Sequence, residues 1–463
     1  MGRRILRPVG FAVLLAAFSA PAAGQGSSVY NQSGCASAKA GAVVAAPCMD
    51  ASSIYYNPAL ISLLPSSVSA GFTAVYNGGD FTYDTTGMVV ERDPAVPLVP
   101  QAYATYRFGA DKRLAAGLGV WAPYGLGIEW PETFEGRFIS WKTALKGIYV
   151  QPTVAYQVIP GKLALGAGVQ VTLGGIEINQ RVDGPVADIR LASLGVPLGT
   201  DIASAVLTGS GIGVGGQLAA YYQVSDRLAI GARYMLPVQV DLTGEADFEQ
   251  IENPDIILVL PDGDVPLDAL LADLFVAGGR LEDQDADASL TFPPQAVIGV
   301  RYAVTDALAV SGDYQWTGWS TFDEIVATFS GAAPELALKM DYEDAHTFRT
   351  GLTYALSPAV EGRAGFSYNT PASPDHTVTP ILPEAERQLY TMGFGYRMGS
   401  VQADVYYNYV NQADRSGRVR SDLPGPGEPS TPDAIIDQLN VGVYGSTAHL
   451  FGLTLSYVFG DER

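Results

Sequence analysis

Cys35 and Cys48 are the only two cysteines of the 463-residue chain. In an exported protein such a pair, with no histidine beside it to complete a metal site, reads as a disulfide closing a small loop. His346, His376 and His449 are the only histidines. A hydrolase built on one of them would need a nucleophile within reach and a third group to orient the base. His376 stands in Pro374-Asp375-His376, a loop-like context without a nucleophile motif, and His346 and His449 fall at strand edges near one rim. No metal-ligand spacing and no phosphate-cradling glycine motif is present. The chain is therefore read as not an enzyme, with no cofactor and no metal. A second group, Asp255, Asp262, Asp264, Asp268, Asp273, Glu282, Asp283, Asp285 and Asp287, crowds one segment. Its carboxylates either bind divalent cations that bridge anionic surface lipids or simply solvate an exposed loop, and solvation is the preferred reading.

The elements that must position these residues are strands. In Val401–Tyr409, Val401, Ala403, Val405, Tyr407 and Tyr409 share one face, and Gln402, Asp404, Tyr406 and Asn408 share the other. In the last strand, Phe451, Leu453, Leu455, Tyr457 and Phe459 oppose Gly452, Thr454 and Ser456. Fourteen such segments are expected: 68–76, 101–108, 114–121, 145–158, 163–178, 210–224, 228–246, 288–303, 308–330, 344–355, 360–371, 386–398, 401–413 and 447–459. A further extended stretch from Phe138 is expected to precede the fourth. Connections after even strands are short (Gly109–Arg113, Ile159–Lys162, Ser225–Arg227, Val304–Ala307, Leu356–Ala359, Gly399-Ser400), and those after odd strands are long, as in 179–208, 247–287 and 414–446. Short periplasmic turns and long outer loops alternate in this way in a transmembrane β-barrel, and an even strand count leaves both chain ends in the periplasm. The fold class is thus all-β: an antiparallel barrel of about 14 strands over 67–463, with apolar faces toward lipid.

Targeting agrees. Arg3, Arg4 and Arg7 precede an apolar run from Val9 to Ala20 and small residues through Gly24, a secretory signal peptide over 1–24 with cleavage expected between Ala22 and Gln25. The run is too short to span a bilayer comfortably as a helix, which needs about 20 residues. The chain carries 27 basic residues, so loss of those three arginines leaves 24 against 48 acidic ones. That balance excludes nucleic acid, which is bound through Lys and Arg contacts to phosphate. Tyrosine is abundant at 25 against 5 tryptophans, which fits aromatic girdles at two interfaces. The location implied is the outer membrane of a Gram-negative bacterium, with outer-membrane lipid and the barrel assembly machinery as partners; Gly452, Leu455, Tyr457 and Phe459 resemble the signal that machinery reads.

A barrel of this size encloses a lumen that something must fill or use. The segment 25–66, rich in Ala, Ser and Gly and without alternation, is the candidate plug, which implies selective passage. The loops suggest what passes. Val196–Leu207 carries a single charge, Ile256–Leu260 is wholly apolar, and Leu267, Leu270, Leu271, Leu274 and Phe275 recur at helical spacing. An exposed greasy surface suits capture of a hydrophobic ligand, with Leu270, Leu274 and Phe275 as contacts; the alternative is that these residues pack a small loop subdomain. Two other readings, a nonspecific porin and a surface adhesin, leave the plug without a purpose.

Asn57-Pro58-Ala59-Leu60 resembles the hatch motif of the FadL family of outer-membrane transporters for long-chain fatty acids and other hydrophobic compounds. Further matches follow in the family's order: Pro123-Tyr124-Gly125-Leu126, Gly136-Arg137-Phe138, Pro152-Thr153-Val154-Ala155-Tyr156 with Gly166-Ala167-Gly168, Asp313-Tyr314-Gln315-Trp316 with Trp319-Ser320, and Leu382-Pro383-Glu384-Ala385-Glu386-Arg387. The resemblance implies a fourteen-strand barrel with an N-terminal hatch, capture between outer loops 179–208 and 247–287, and a pocket beside the hatch. It also implies sideways exit near the third strand, where Gly117, Gly119 and Pro123 permit a bulge or broken pairing. Asn57, Pro58 and Ala59 would form the gate, or a rigid turn that holds it. Inward Arg301, Arg349 and Arg363 are read as structural partners of inward acids such as Asp313 or Asp404, and Arg137 as the candidate for a cargo carboxylate. Passive uptake of long-chain fatty acids is the expectation, with aromatic hydrocarbons such as toluene as the alternative.

Overall fold

The computed structural model describes residues 28–94, 96–261, 263–417 and 441–459. The expected signal peptide and cleavage region, Asp262, much of the connection 414–446 and the terminal residues 460–463 lie outside them.

Fourteen antiparallel strands close into a barrel. They are β1 (Ser66–Tyr83), β2 (Leu98–Phe108), β3 (Leu114–Glu129), β4 (Lys142–Ile159), β5 (Leu163–Asp183), β6 (Asp201–Gln223), β7 (Leu228–Met235 and Val238–Gln250), β8 (Gln284–Phe292 and Gln295–Ala303), β9 (Leu308–Thr317 and Glu324–Phe329), β10 (Ala345–Ala355), β11 (Val360–Asn369), β12 (Arg387–Met398), β13 (Val401–Gln412) and β14 (Gly442–Phe459). Closure comes from β1, which pairs with β14 from Ser66↔Phe459 to Tyr83↔Gly442. Closure leaves the sheet without a free first or last strand, the condition for a β structure in hydrocarbon.

The two faces behave as their chemistry requires. Gln402, Asp404, Tyr406 and Asn408 are buried in the lumen, while Val401, Val405, Phe451, Leu455 and Tyr457 are exposed on the outer wall. His449 belongs to the outer aromatic band, its Nδ1 2.8 Å from the Tyr407 hydroxyl.

Several boundaries differ from the sequence reading. The upper strands run further out than expected. β6 already begins at Asp201, so Ile202–Leu207 are wall rather than loop. Phe138 ends a 3-10 turn, Glu135–Phe138, and does not start an extended stretch. The seventh and eighth strands, expected to be continuous, break at one level: Phe292 pairs with Val238 above the break and Gln295 with Met235 below it. Pro237, Pro293 and Pro294 lie in the gap, each without the N–H that a ladder rung needs. β9 breaks at 318–323, where Trp319–Thr321 form a 3-10 turn.

The lumen is filled by residues 28–65. Two single-turn helices, α1 (Gly34–Ser37) and α2 (Ser53–Tyr56), and a 3-10 turn, Pro58–Ser62, form this hatch. Cys35 and Cys48 are joined, S–S 2.03 Å.

Candidate functional site

The hatch has little regular structure, so its backbone groups need partners from elsewhere. The lumenal polar side chains supply them. Gly34 N–H donates to Thr454 Oγ1 (2.8 Å), Val43 and Val44 N–H donate to Asp313 Oδ2 (2.9 and 3.0 Å), and Ser311 Oγ donates to the Ala42 carbonyl (2.8 Å). Tyr55 O accepts from Gln217 Nε2 (2.7 Å) and from Arg233 Nη1 (3.0 Å). This network explains why the inner faces of the strands are rich in Gln, Thr and Ser although water is largely excluded from them.

Asn57, Pro58 and Ala59 form one corner of the hatch. The Asn57 side chain caps the 3-10 turn by accepting from Ala59 N–H (3.1 Å), and its Nδ2 donates to Val44 O (2.7 Å) and to Ala220 O in β6 (3.1 Å). Pro58 at the first position of the turn sacrifices no hydrogen bond. The motif is thus a rigid turn bolted both to the disulfide loop and to the wall. Inside that loop Lys39 is buried, its Nζ donating to Ala46 O (2.9 Å). Burial, and secondarily the neighbouring Arg363, push its ammonium down to about 8.

The wall itself is broken beside the hatch. β2 pairs with β3 only from Ala102↔Val120 to Phe108↔Leu114, while its first residues pair with β1 alone. On the other side, the β3–β4 register shifts between Trp121 and Tyr124, leaving Ala122 and Pro123 as a bulge. The β3 edge beyond Val120 therefore has no strand on its β2 side. The hatch occupies it instead: Val29 N–H donates to Pro123 O (2.6 Å), Ser28 bridges Tyr124, and Gln32 Nε2 donates to Ala122 O (2.8 Å). Tyr103 in β2 holds this segment by donating its hydroxyl to Gln32 O (3.0 Å).

Of the three residues expected at the break, Pro123 lies in it. Gly117 and Gly119 lie below, in regular register with both neighbours. Their missing side chains instead make room for Ile54 of the hatch.

Aromatic rings line the lumen at this level. Trp121 packs on Tyr55 and Tyr149, and Tyr124 packs on Phe292 and Trp319, with centroids 4.8–6.3 Å apart. Tyr124 also anchors the broken part of β8, its hydroxyl donating to Pro293 O (3.1 Å) and accepting from Gln295 Nε2 (2.9 Å). The cluster is close-packed, so the barrel is closed in this conformation.

Arg363 binds Asp404 and Glu361, the structural role read for it, and Asp313 stands opposite Arg349 in the β9–β10 register. Arg301 points inward. Arg137 sits in the outer loops with its donors committed: Nε to Asp201 (2.9 Å), Nη1 to Phe134 O (3.1 Å) and Nη2 to Gly199 O (3.2 Å). Two further arginines lie nearer the hatch: Arg233 donates to Tyr55 O (3.0 Å) and to Gln295 Oε1 (2.7 Å), while Arg349 Nη2 has no hydrogen-bond partner among the described residues. Arg349 lies over the Tyr30 ring (4.6 Å) and Arg233 over Tyr55 (5.0 Å), and both line a cavity of about 10 Å³ with Tyr56, Gln315 and Asp313. Sequence reasoning overlooked Arg233, although alternation along β7 places it on the buried face.

The outer loops form a small subdomain. Leu267 and Leu271, on a helix Leu267–Leu271, pack with Leu191, Val196, Ile202 and Leu258. Leu274 and Phe275 are half-buried against this cluster, and Leu270 and Val259 remain 41% and 80% exposed. Packing thus claims part of the expected greasy surface and leaves individual apolar side chains such as Leu270 and Val259 outside.

The model of the family described as "Outer membrane protein transport protein (OMPP1/FadL/TodX)" matches residues 13–459. Outer membrane protein P1 of Haemophilus influenzae is 24% identical over 436 residues, covering 86% of this chain and 88% of that protein. Among solved structures, a Pseudomonas aeruginosa FadL homologue superposes with a TM-score of 0.76 at 18% identity, over 94% of this chain and 100% of the other. The Ralstonia pickettii toluene transporter TbuX gives 0.65 at 21% identity, over 93% and 100%.

Proposed function

This chain belongs to the outer membrane protein transport family of FadL and TodX, and from that premise we propose that it takes up long-chain fatty acids passively and releases them sideways through the break at β3. The chain is an outer-membrane channel for hydrophobic molecules, and members of its family are transporters and not enzymes. Cargo would land on the outer loops at Leu270, Leu274 and Phe275, and move down to the aromatic cluster above the hatch. Exit into lipid follows from free energy, since apolar surface is stabilised by leaving water for hydrocarbon.

The observation that carries this reading is the substitution of hatch backbone for strand backbone at Pro123. A β3 edge left open would expose unsatisfied backbone groups; a hatch segment held there by hydrogen bonds from Val29 and Gln32 satisfies them without belonging to the strand ladder. Withdrawal of residues 28–32 would open the wall next to Trp121 and Tyr124. The buried cation Arg349, with Nη2 unpartnered among the described residues, favours a carboxylate cargo, whereas Arg233, tied to Tyr55 and Gln295, and Arg137, tied to Asp201, would hold the hatch and the capture loops rather than meet the headgroup.

The test is uptake of labelled oleate, with toluene as comparator, in an outer-membrane host lacking its own transporter of this type. A Ser28→Cys/Tyr124→Cys variant, stapled by oxidation, should lose oleate uptake and regain it on reduction, while the equally treated wild type stays active. Stapled protein that transports at the wild-type rate would refute exit at β3. Uptake of toluene alone would move the chain to the aromatic-hydrocarbon reading.

A further inference from the structure

β6 and β7 keep one register along their outer halves, from Ala203↔Gln250 to Leu207↔Ala246 and again at Ser210↔Thr243. The two rungs between, Thr208 opposite Glu245 and Gly209 opposite Gly244, are missing. Pairing resumes only at Gln217↔Met235, shifted by one residue. Below Ser210 the β6 sequence is Gly211-Ile212-Gly213-Val214-Gly215-Gly216, and its outward Ile212 and Val214 are 66% and 67% exposed, facing lipid. This wall is held by close backbone approach and not by a regular ladder.

Two cavities meet at the missing rungs. Outside lies a groove of about 770 Å³ that includes Ile148, Leu173, Thr208, Gly209, Gly244 and Glu245 in its lining. Inside lies a small pocket of about 20 Å³ whose lining is almost wholly apolar, among it Ile178, Leu207, Leu242, Ile325 and Leu338. Both are bounded by Ile176, Thr208, Gly209 and Asp287. Four residues, among them the small Thr208 and Gly209, thus stand between the lumen and the outer wall here. The strands touch because residue 244 is glycine: a Cβ there would run into the Thr208 carbonyl.

We propose that this seam is a second lateral port, at the outer-leaflet end of the apolar band, through which uncharged hydrophobic molecules already dissolved in the outer leaflet enter the lumen. The inference rests on the channel reading above and adds a route to it. Its charge selects the cargo. Glu245, Asp285 and Asp287 line the outer groove against Lys146, Glu177 there being paired with Lys142 (2.9 Å), so a fatty-acid carboxylate is repelled at the mouth and a neutral hydrocarbon is not. Asp285 and Glu245 stand directly opposite in the β8–β7 register, a like-charge pair that costs stability and that the port explains.

The experiment compares two engineered staples in cells of a host lacking such transporters, with barrel folding checked by heat-modifiable gel mobility. Thr208→Cys/Glu245→Cys closes the missing rung; Val206→Cys/Asp247→Cys reinforces a rung that already exists. With cross-linking verified by mass, the first staple should cut toluene uptake at least fivefold, leave oleate uptake unchanged and be reversed by reductant; the second should change neither. Gly244→Val, a wedge in the same seam, should raise toluene uptake. Toluene uptake unaffected by the 208/245 staple, or toluene and oleate reduced alike, would overturn the port while leaving exit at β3 standing. A wild-type chain that moves neither cargo would remove the channel reading itself.

Discussion

Gly166 of β5 lies against the backbone joining Pro58 and Ala59, so closely that a Cβ at residue 166 would sit 2.5 Å from the Pro58 carbonyl carbon. Two short motifs more than a hundred residues apart are therefore one contact: the wall needs a glycine where the hatch turn leans on it. Gly166→Ala should displace the turn at a cost of about 1–3 kcal/mol, as overpacking does. A nitroxide at position 29 would report a larger mobile fraction, and the barrel itself should still fold. Gly175→Ala, where the nearest atom is 3.7 Å from the new Cβ, is the control that should change nothing.

Asn57→Ala removes three hydrogen bonds at once, to Ala59, Val44 and Ala220. Since Val44 and Ala59 are buried, the loss should lie at about 1–3 kcal/mol for each of these groups left unsatisfied. Hydrogen exchange at Ala59 and in the disulfide loop would accelerate together if the side chain couples them. Acceleration at Ala59 alone would show that the cap is local.

The Cys35–Cys48 bond encloses the loop that carries Lys39 and also Val43 and Val44, which bind Asp313 of the wall. Closing a loop of about this length constrains the undocked hatch by roughly 3 kcal/mol. Cys35→Ser/Cys48→Ser should loosen the hatch and admit small polar solutes, measured as antibiotic sensitivity, with the heat-modifiable barrel band unchanged.

Lys39 supplies the pH dependence. Docked, its ammonium titrates at about 8 and not at its ordinary 10.5. Between those values the released hatch binds a proton that the docked hatch lacks, so docking strengthens as pH rises from about 8 toward 10.5 and is insensitive to Lys39 below 8. The mobile fraction of a nitroxide at position 29 should fall over that range. Lys39→Met should abolish the trend and hold the hatch more firmly throughout.

Strand period, loop parity and the N-terminal plug were legible because each is a local pattern: alternation assigns a residue to lipid or lumen without reference to any other strand. The disulfide and the loop helix Leu267–Leu271 were legible for the same reason. The misplacements share a cause. Pro237 and Pro293-Pro294 are visible in the sequence, yet that they break neighbouring strands at one level depends on register, a relation between strands. Gly117 and Gly119 look like places to break a strand and serve instead as a seat for Ile54. Arg137 looks available in its motif and is spent on Asp201. The sequence by itself determined that this chain makes a closed, plugged barrel with a greasy outside and a polar inside. Which stretch of wall stays unpaired, and that residues 28–32 stand in for the missing strand there, was decided only by the tertiary structure, because backbone hydrogen bonds lost at one strand edge must be recovered from whatever part of the chain folding brings beside it.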